Sequence, residues 1–506
     1  MDAAAPLDSA LGRIGLVAAA LLAAAAVLSD RPRLRAATMA GALVLTPVLL
    51  IAEIWDTEQF ETLRDRPAFT AGLVAAALVA VGAVAFAIAR RPLLLPLLAF
   101  AALPFRIPIE AAGQTANLLV PLYGVIAAGA LAQMAALVRG ERPAGTRERP
   151  SGPLAAVLLA FVALYAVQAL YVDDVSFAGQ QVVFFYVPFA LLFGLLVRLE
   201  WTRRMLVSCL AVAVALALVF AAIGFVEYSL KEVFLNPRVI ASNQVESYFR
   251  VNSLFFDPNI YGRFLAEVMI AVAAAVAWSS RRRDVVVMAS ALAVMWAALV
   301  LTFSQSSFAA LLAGLAVVAA LRWNPRRIVT IVGALLVAGV VAAAAALALR
   351  GDLPSPRQVN KATVGRSKLI TTGVELWAER PLQGYGSGSF QPEYKRERHL
   401  TRPNAVSASH TTPVTVAAEQ GLIGLALYLA LVFVALTTLM RGARASLPRV
   451  VIAAAFVALL VHTMVYAAFL EDPTTWVLLA AGAALAAAQS SSSVSSSSSA
   501  TSRNRV

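Results

Sequence analysis

Three kinds of side chain stand where chemistry is possible in this sequence: a histidine at the mouth of an apolar run, arginines in the polar stretch before it, and small polar groups lodged between apolar runs. His410 belongs to the segment Ser407-Ala-Ser-His410-Thr-Thr-Pro-Val-Thr-Val-Ala-Ala-Glu419-Gln-Gly421-Leu-Ile-Gly424, which passes from a polar loop directly into an apolar helix. An imidazole titrates near neutral pH and can take a proton from a hydroxyl. A histidine at a helix mouth also suits a capping role, and the local sequence leaves both readings open. Glu419 lies nine residues further on, roughly 14 Å along a straight helix, where a hydrogen bond to a neighbouring helix is expected, with Gly421 and Gly424 allowing close packing. A structural role is the expectation for Glu419.

The polar stretch from about Arg350 to Thr411 holds ten Lys or Arg residues against five acids. Arg366 and Lys368 open a predicted short amphipathic helix over 366–379, with Leu369, Ile370, Val374 and Trp377 at three- and four-residue spacing and Arg380-Pro381 as its stop. The following Gly384-Tyr-Gly386-Ser-Gly388 is a tight turn where backbone can approach a partner closely. It lacks the Lys-Ser or Lys-Thr and the preceding strand of a phosphate loop, so its glycines mark a turn first. A basic loop of this length suits an anionic partner or simply a solvated surface, and phosphate-bearing lipids are the obvious anions at a membrane.

Polar groups inside apolar runs are functional candidates by default. In Phe255-Phe-Asp257-Pro258-Asn259-Ile-Tyr-Gly-Arg263, Asp257 is a predicted helix cap and Pro258 suits the first turn. Arg263 lies further along the same helix, placed either for a ligand or for an ion pair with Glu267 four residues on. The knot Thr302-Phe-Ser304-Gln305-Ser306-Ser307 joins two apolar runs, as a wet turn or as part of a site.

These residues have to be held by a membrane protein. The chain has 506 residues, 60% of them hydrophobic and 14% charged, with a mean hydropathy of +0.78, a composition outside that of soluble globular domains. Apolar runs recur from Leu11 to Gln489, each long enough to cross a hydrocarbon core about 30 Å thick. The reading is an all-α polytopic membrane protein with about 14–15 transmembrane helices. Spans are expected near 11–28, 37–55, 68–89, 92–110, 115–138, 153–172, 180–198, 204–229, 258–278, 284–302, 306–321, 328–349, 412–439, 449–470 and 474–489. The first run has no basic leader or clear cleavage site and reads as a span. The lone Cys209 lies inside a run, so neither a disulfide framework nor a thiolate metal site is expected. No metal, cofactor or nucleic acid is expected.

Arginines cluster on alternate loops, at 31–35, 90–91, 139–149, 198–204, 281–283, 322–327 and 441–449. The positive-inside rule places those loops in the cytoplasm. The loops at 230–257 and 350–411 then face outward and form the working face of a protein in the cytoplasmic membrane. The expected organisation is N-terminal helices over 1–229, a second transmembrane region with these loops over 230–489, and a disordered serine-rich cytoplasmic tail over 490–506.

Taken in order, the motifs from about Arg250 to Leu431 resemble the O-antigen ligase and O-antigen polymerase superfamily. The resemblance rests on Phe256-Asp257-Pro258-Asn259, Thr302-x-Ser304, Arg366 with Trp377, Pro381 and Gly384-Tyr-Gly386, then His410 and Glu419-Gln-Gly421-Leu-Ile-Gly424. It implies a glycosyltransferase C-like membrane fold and an inverting, metal-independent transfer. The implied donor is a polyprenyl-diphosphate glycan and the acceptor a glycan or glycolipid hydroxyl, at the extracytoplasmic face of the bilayer. In that family a loop histidine activates the acceptor while arginines hold the diphosphate, roles that fall on His410 and Arg366, with Arg263, Lys368 and Gln305 alongside. Asp257, Asn259, Ser304, Gly384, Gly386 and Glu419 would support them. The chain departs from the family at Gln305, where arginine is common, and at Thr411, where asparagine is common; Arg263 is the expected substitute for the missing charge. Two rivals are a metal-dependent membrane glycosyltransferase using Glu53, Asp56, Glu58 and Glu61, and a transporter of lipid-linked glycans, against which the lack of a convincing internal repeat argues.

Overall fold

The computed structural model describes residues 6–55, 58–111, 114–147, 152–235, 240, 243, 248–323, 366–399, 409, 411–466 and 468–503. The described helices are α1 (Ala10–Leu28), α2 (Pro32–Ile54), α3 (Glu58–Asp65), α4 (Pro67–Arg90) and α5 (Leu94–Ala102), then α6 (Val120–Val138), α7 (Pro153–Gln168), α8 (Ser176–Val197) and α9 (Arg203–Leu230). After them come α10 (Pro258–Trp278), α11 (Arg282–Thr302), α12 (Gln305–Arg322), α13 (Arg366–Glu379), α14 (Phe390–Glu397), α15 (Thr412–Met440), α16 (Leu447–Thr463) and α17 (Pro473–Arg503). Among the described residues, eleven helices are long and apolar enough to cross a membrane, with α16 a shorter apolar helix beside them. The molecule is a multi-pass, helical membrane protein.

Local sequence sets the helix starts. Ser9 and Thr202 cap α1 and α9 through Gly12 N at 3.0 Å and Met205 N at 3.2 Å, and proline occupies the first turn of α2, α4, α6, α7, α10, α15 and α16, where its missing N–H costs nothing. The span expected at 92–110 is not one helix. Helix α5 stops at Ala102, and an antiparallel hairpin pairs Ile107–Ala111 with Gln114–Leu118. Pro104 and Pro108 lack the backbone donors a continuing helix would need. The expected span at 328–349 lies outside the described residues. The tail expected to be unstructured from residue 490 instead continues α17 to Arg503, since the alanine-rich run over 480–488 favours helix and no Pro or Gly follows to stop it.

Two packed cores meet on α16. Ile452, Ala453, Phe456 and Leu459 join the core built from α1, α6, α7, α8, α15 and α17, while Val450, Ala454 and Ala458, on the next stripe, join the core of α9 to α12. Both stripes follow three- and four-residue spacing, so one helix cements two layers. Gly314 lets α12 press in: a β-carbon there would lie 2.2 Å from Ile270 Cδ1 and 3.3 Å from the Ala454 carbonyl.

Arginines finish the helices at one end of the bundle. Arg198 donates to Val27 O at 2.9 Å, Arg322 to Ala277 O at 3.2 Å, Arg444 to Ala320 O at 2.9 Å and Arg449 to Thr438 O at 3.2 Å. Each satisfies carbonyls left open in the last turn of a neighbouring or preceding helix. At the opposite end lie α13, α14, the starts of α10, α12 and α15, and residues 464–466 and 468–472.

Candidate active site

The polar knot between α11 and α12 folds into a hydroxyl cluster at that second end. Ser304 caps α12 and its Oγ lies 3.2 Å from Ser306 Oγ and 2.8 Å from Ser307 Oγ. Ser306 Oγ is 3.1 Å from Nε2 of His462, which is fully buried. Ser307 Oγ donates to the Asn259 carbonyl at 3.2 Å. The close packing of α12 on α16 holds the serine and the histidine together.

The Asp-Pro-Asn segment builds the adjoining wall. Asp257 caps α10 as the sequence predicts, accepting from Asn259 N at 2.6 Å, and its other oxygen accepts from Tyr466 OH at 3.0 Å. Asn259 Oδ1 accepts from Arg250 at 3.2 Å, and Arg250 also donates to the Thr302 carbonyl at 2.9 Å. Arg250 is thereby pinned between the two motifs.

Arg366, the first residue of α13, comes to the same place. Burial, and then the nearby Arg250 charge, hold its guanidinium below the usual arginine range. No carboxylate bonds either guanidinium among the described residues. Two arginines within reach of each other's charge and bonded to no carboxylate among the described residues suit an anion better than a salt bridge. Lys368, two residues on, is exposed, and so is Gln305, which makes none of those hydroxyl-cluster bonds.

Arg263 does not lie open for a ligand. It is 2% exposed and forms an ion pair with Asp472, with a further bond to Ala468 O at 3.4 Å. A partner four residues along its own helix is the local expectation, but Glu267 is not that partner; its Oε1 is buried without a hydrogen bond. Asp472 arrives from the turn before α17, a contact no local spacing reveals. Arg106 lies near this pair, acted on by the charges of both Asp472 and Arg263. Arg250 and Ser307 join the Asp-Pro-Asn segment to the Thr-x-Ser turn at this end of the bundle.

Glu419 and the glycine turn are structural. The buried Glu419 carboxylate accepts from Gly388 N at 3.0 Å and Phe390 N at 3.2 Å, closing the start of α14. Helix α15 breaks at Gly421, whose φ of +63° is open to glycine. Into that break fits the turn at Gly384: Gly386 N donates to Glu419 O at 2.7 Å and Leu422 N to Pro381 O at 2.7 Å. A β-carbon on Gly384 (φ +69°) would fall 2.3 Å from Glu419 O, and one on Gly386 2.3 Å from Val172 Cγ2. The glycines therefore dock the loop onto α15 and α7; no phosphate is needed to explain them.

His410 lies outside the described residues. Its neighbours in sequence are fixed at the site end: Ser409 Oγ donates to Thr411 O at 2.8 Å, Thr411 Oγ1 to Met464 O at 3.1 Å and Thr412 Oγ1 to Thr463 O at 3.3 Å. Asp56 of the acidic cluster also lies outside the described residues, and among those described no group of three or more His, Cys, Asp or Glu gathers with the geometry of a metal site. Sequence reasoning passed over Arg250, Tyr466 and His462. His462 carried a usable signal, a titratable residue inside the apolar run Leu459-Leu-Val-His462; Arg250 and Tyr466 become notable only through their partners.

No curated protein matches the chain. Residues 290–429, which carry Thr302, Ser304, Arg366, Gly384, His410 and Glu419, match the family model described as O-Antigen ligase, and this match supports the resemblance to the O-antigen ligase and polymerase superfamily, whose activity is that of a membrane glycan ligase or polymerase.

Proposed function

We propose that this chain is an extracytoplasmic-face glycosyltransferase that moves a glycan from a polyprenyl-diphosphate carrier to an acceptor hydroxyl. Arg366 and Arg250 bind the diphosphate; His410 takes the acceptor proton as the oxygen attacks the anomeric carbon. The bond from that carbon to the diphosphate breaks as the new glycosidic bond forms, and the electron pair leaves on a phosphate oxygen. That leaving group is already a stable anion, so cations suffice for it and no general acid is required. Asn259 and the Thr302 carbonyl hold Arg250 in place, which keeps its fork oriented for paired contacts with phosphate oxygens.

The observation that carries this reading is Arg250, held by the Asp-Pro-Asn and Thr-x-Ser motifs and within reach of the Arg366 charge, in a chain whose residues 290–429 match a ligase family. Arg366→Lys keeps the charge and loses the fork, so donor binding and turnover should fall together in purified protein given polyprenyl-diphosphate glycan. Unchanged values for both would remove Arg366 from the site. Transfer should also survive exhaustive EDTA; loss on chelation with recovery in manganese or magnesium would move the chemistry to a metal-dependent scheme. In a deletion strain, shortened surface chains identify a polymerase and full-length chains stranded on the lipid carrier identify a ligase.

A further inference from the structure

A cavity of about 190 Å³, room for a single small ring, opens between α7, α8, α15 and residues 466 and 468–471. It begins at Thr412, immediately past the segment that bears His410, and Tyr466, which lines it, is the residue that hydrogen-bonds Asp257. The cavity thus runs from the start of α15 to Tyr466, which braces the wall that holds Arg250. Nothing in the diphosphate chemistry uses it.

Its lining identifies what it takes. Three of its polar atoms, Gln181 Oε1, Gln420 Oε1 and Tyr428 OH, are buried and have no hydrogen-bond partner among the described residues. Their residues are 8%, 1% and 2% exposed. Leaving such atoms unpaired is costly, so a ligand or water completes them. Two of the three are pure acceptors and require a donor from the occupant. The walls between them are aromatic: Phe161 and Tyr428 lie 6.4 Å apart between ring centroids, Tyr165 and Tyr186 4.8 Å, and Tyr428 and Phe469 5.7 Å. No Lys or Arg lines the cavity, which excludes it as a diphosphate site, and an isoprenoid tail would leave the amide oxygens unpaired.

The local fold supports a built site. Residues Gln181–Tyr186 form a π-helical turn inside α8, a widening that brings both end residues into the cavity wall and recurs at functional positions. On α15, the break at Gly421 turns Gln420 inward, and Gly424 makes room for it: a β-carbon there would lie 2.1 Å from Gln420 Cβ. Glu419 also lines the cavity, with its carboxylate engaged by Gly388 N and Phe390 N, and Glu471 is held by Tyr186 at 3.4 Å, so amides and phenols offer the unpaired groups.

We infer that this cavity is a saccharide subsite, binding a neutral sugar unit through hydroxyl donors to Gln181 and Gln420, the Tyr428 hydroxyl, and ring stacking on the aromatic walls. The inference deepens the transferase reading and rests on it for the source of the sugar: either the glycan end next to the donor diphosphate or the sugar bearing the acceptor hydroxyl.

The test uses the full chain in lipid nanodiscs and two probes, the lipid-free oligosaccharide repeat released from the host's own surface glycan and the same glycan on polyprenyl diphosphate. Gln181→Leu and Tyr428→Phe should each weaken sugar recognition about 3- to 10-fold, the size of one neutral hydrogen bond. Tyr428→Phe removes only a hydroxyl that lacks a protein partner, so its thermal midpoint should equal or exceed that of the parent, which a purely structural tyrosine would not do. Weakened binding of the free oligosaccharide assigns the acceptor sugar; weakening confined to the lipid-linked probe assigns the donor sugar. Wild-type affinity for both probes in the folded Gln181→Leu/Tyr428→Phe double variant means that water alone fills the cavity and overturns the inference. Arg366→Lys should leave oligosaccharide binding intact, so a failure of the diphosphate assignment and a failure of the sugar subsite are read separately.

Discussion

His410→Ala separates proton transfer from donor binding, because it removes the imidazole and leaves Arg366 and Arg250 untouched. Donor affinity should persist while turnover falls by roughly 10²- to 10⁴-fold, the usual contribution of a positioned base. Near-normal turnover in a correctly inserted protein would reduce His410 to a capping residue. The comparison matters because the chain holds a second membrane-end histidine. His462 is fully buried against Ser306, a position that suits orienting the hydroxyl cluster. At this scale the sequence announced residue types well and partners poorly. Asp257 caps its helix as its neighbours Pro258 and Asn259 imply, a local relation. Arg263 pairs with a residue more than two hundred positions away, and no spacing rule reaches that far.

Between the glycine turn and α15 the decisive feature is steric. Gly384→Ala would force a left-handed backbone on a β-carbon residue, costing about 1 kcal/mol before any contact is counted, and the new carbon would fall 2.3 Å from the Glu419 carbonyl. The turn cannot relax without giving up its bonds to Ala418 and Glu419. Limited proteolysis between residues 380 and 399 should accelerate, and transfer should drop at least roughly tenfold as α13 and Arg366 lose their anchor. Gly72→Ala, in open space on α4, is the control and should change neither. Proteolysis and activity both unchanged in Gly384→Ala would show that the turn does not position α13. The helix 366–379 itself was legible, since its apolar spacing and the Arg380-Pro381 stop are local. The docking partner was not, because the break in α15 depends on a carbonyl supplied by the turn.

The distribution of arginines over the whole molecule has two causes that agree. Loop charge orients a membrane protein during insertion, and the same arginines cap the open carbonyls of α1, α10, α12 and α15 at one end of the bundle. Their alternation along the chain therefore reports which helix ends lie together, which is why the layout was readable without any contact information. Where it failed, at 92–110, prolines broke a run whose mean hydropathy still looked like a span.

Topology gives the test at this scale. The reading of the arginine end as cytoplasmic puts Lys368 outside and Arg282 inside; both side chains are exposed. Cys209 is the chain's single cysteine and is buried in α9, so Cys209→Ala gives a background without thiols in which new cysteines report unambiguously. Lys368→Cys should react with a membrane-impermeant maleimide in intact cells. Arg282→Cys should react only after permeabilisation. Cytoplasmic proteins do not meet the acceptors of the outer surface, so the opposite pattern would place Arg366, Arg250 and the sugar cavity on the wrong side of the membrane for building a surface glycan. The anion site would then have to serve cytoplasmic chemistry, and the transfer proposed for this chain would fail even if every residue at the site proved to matter.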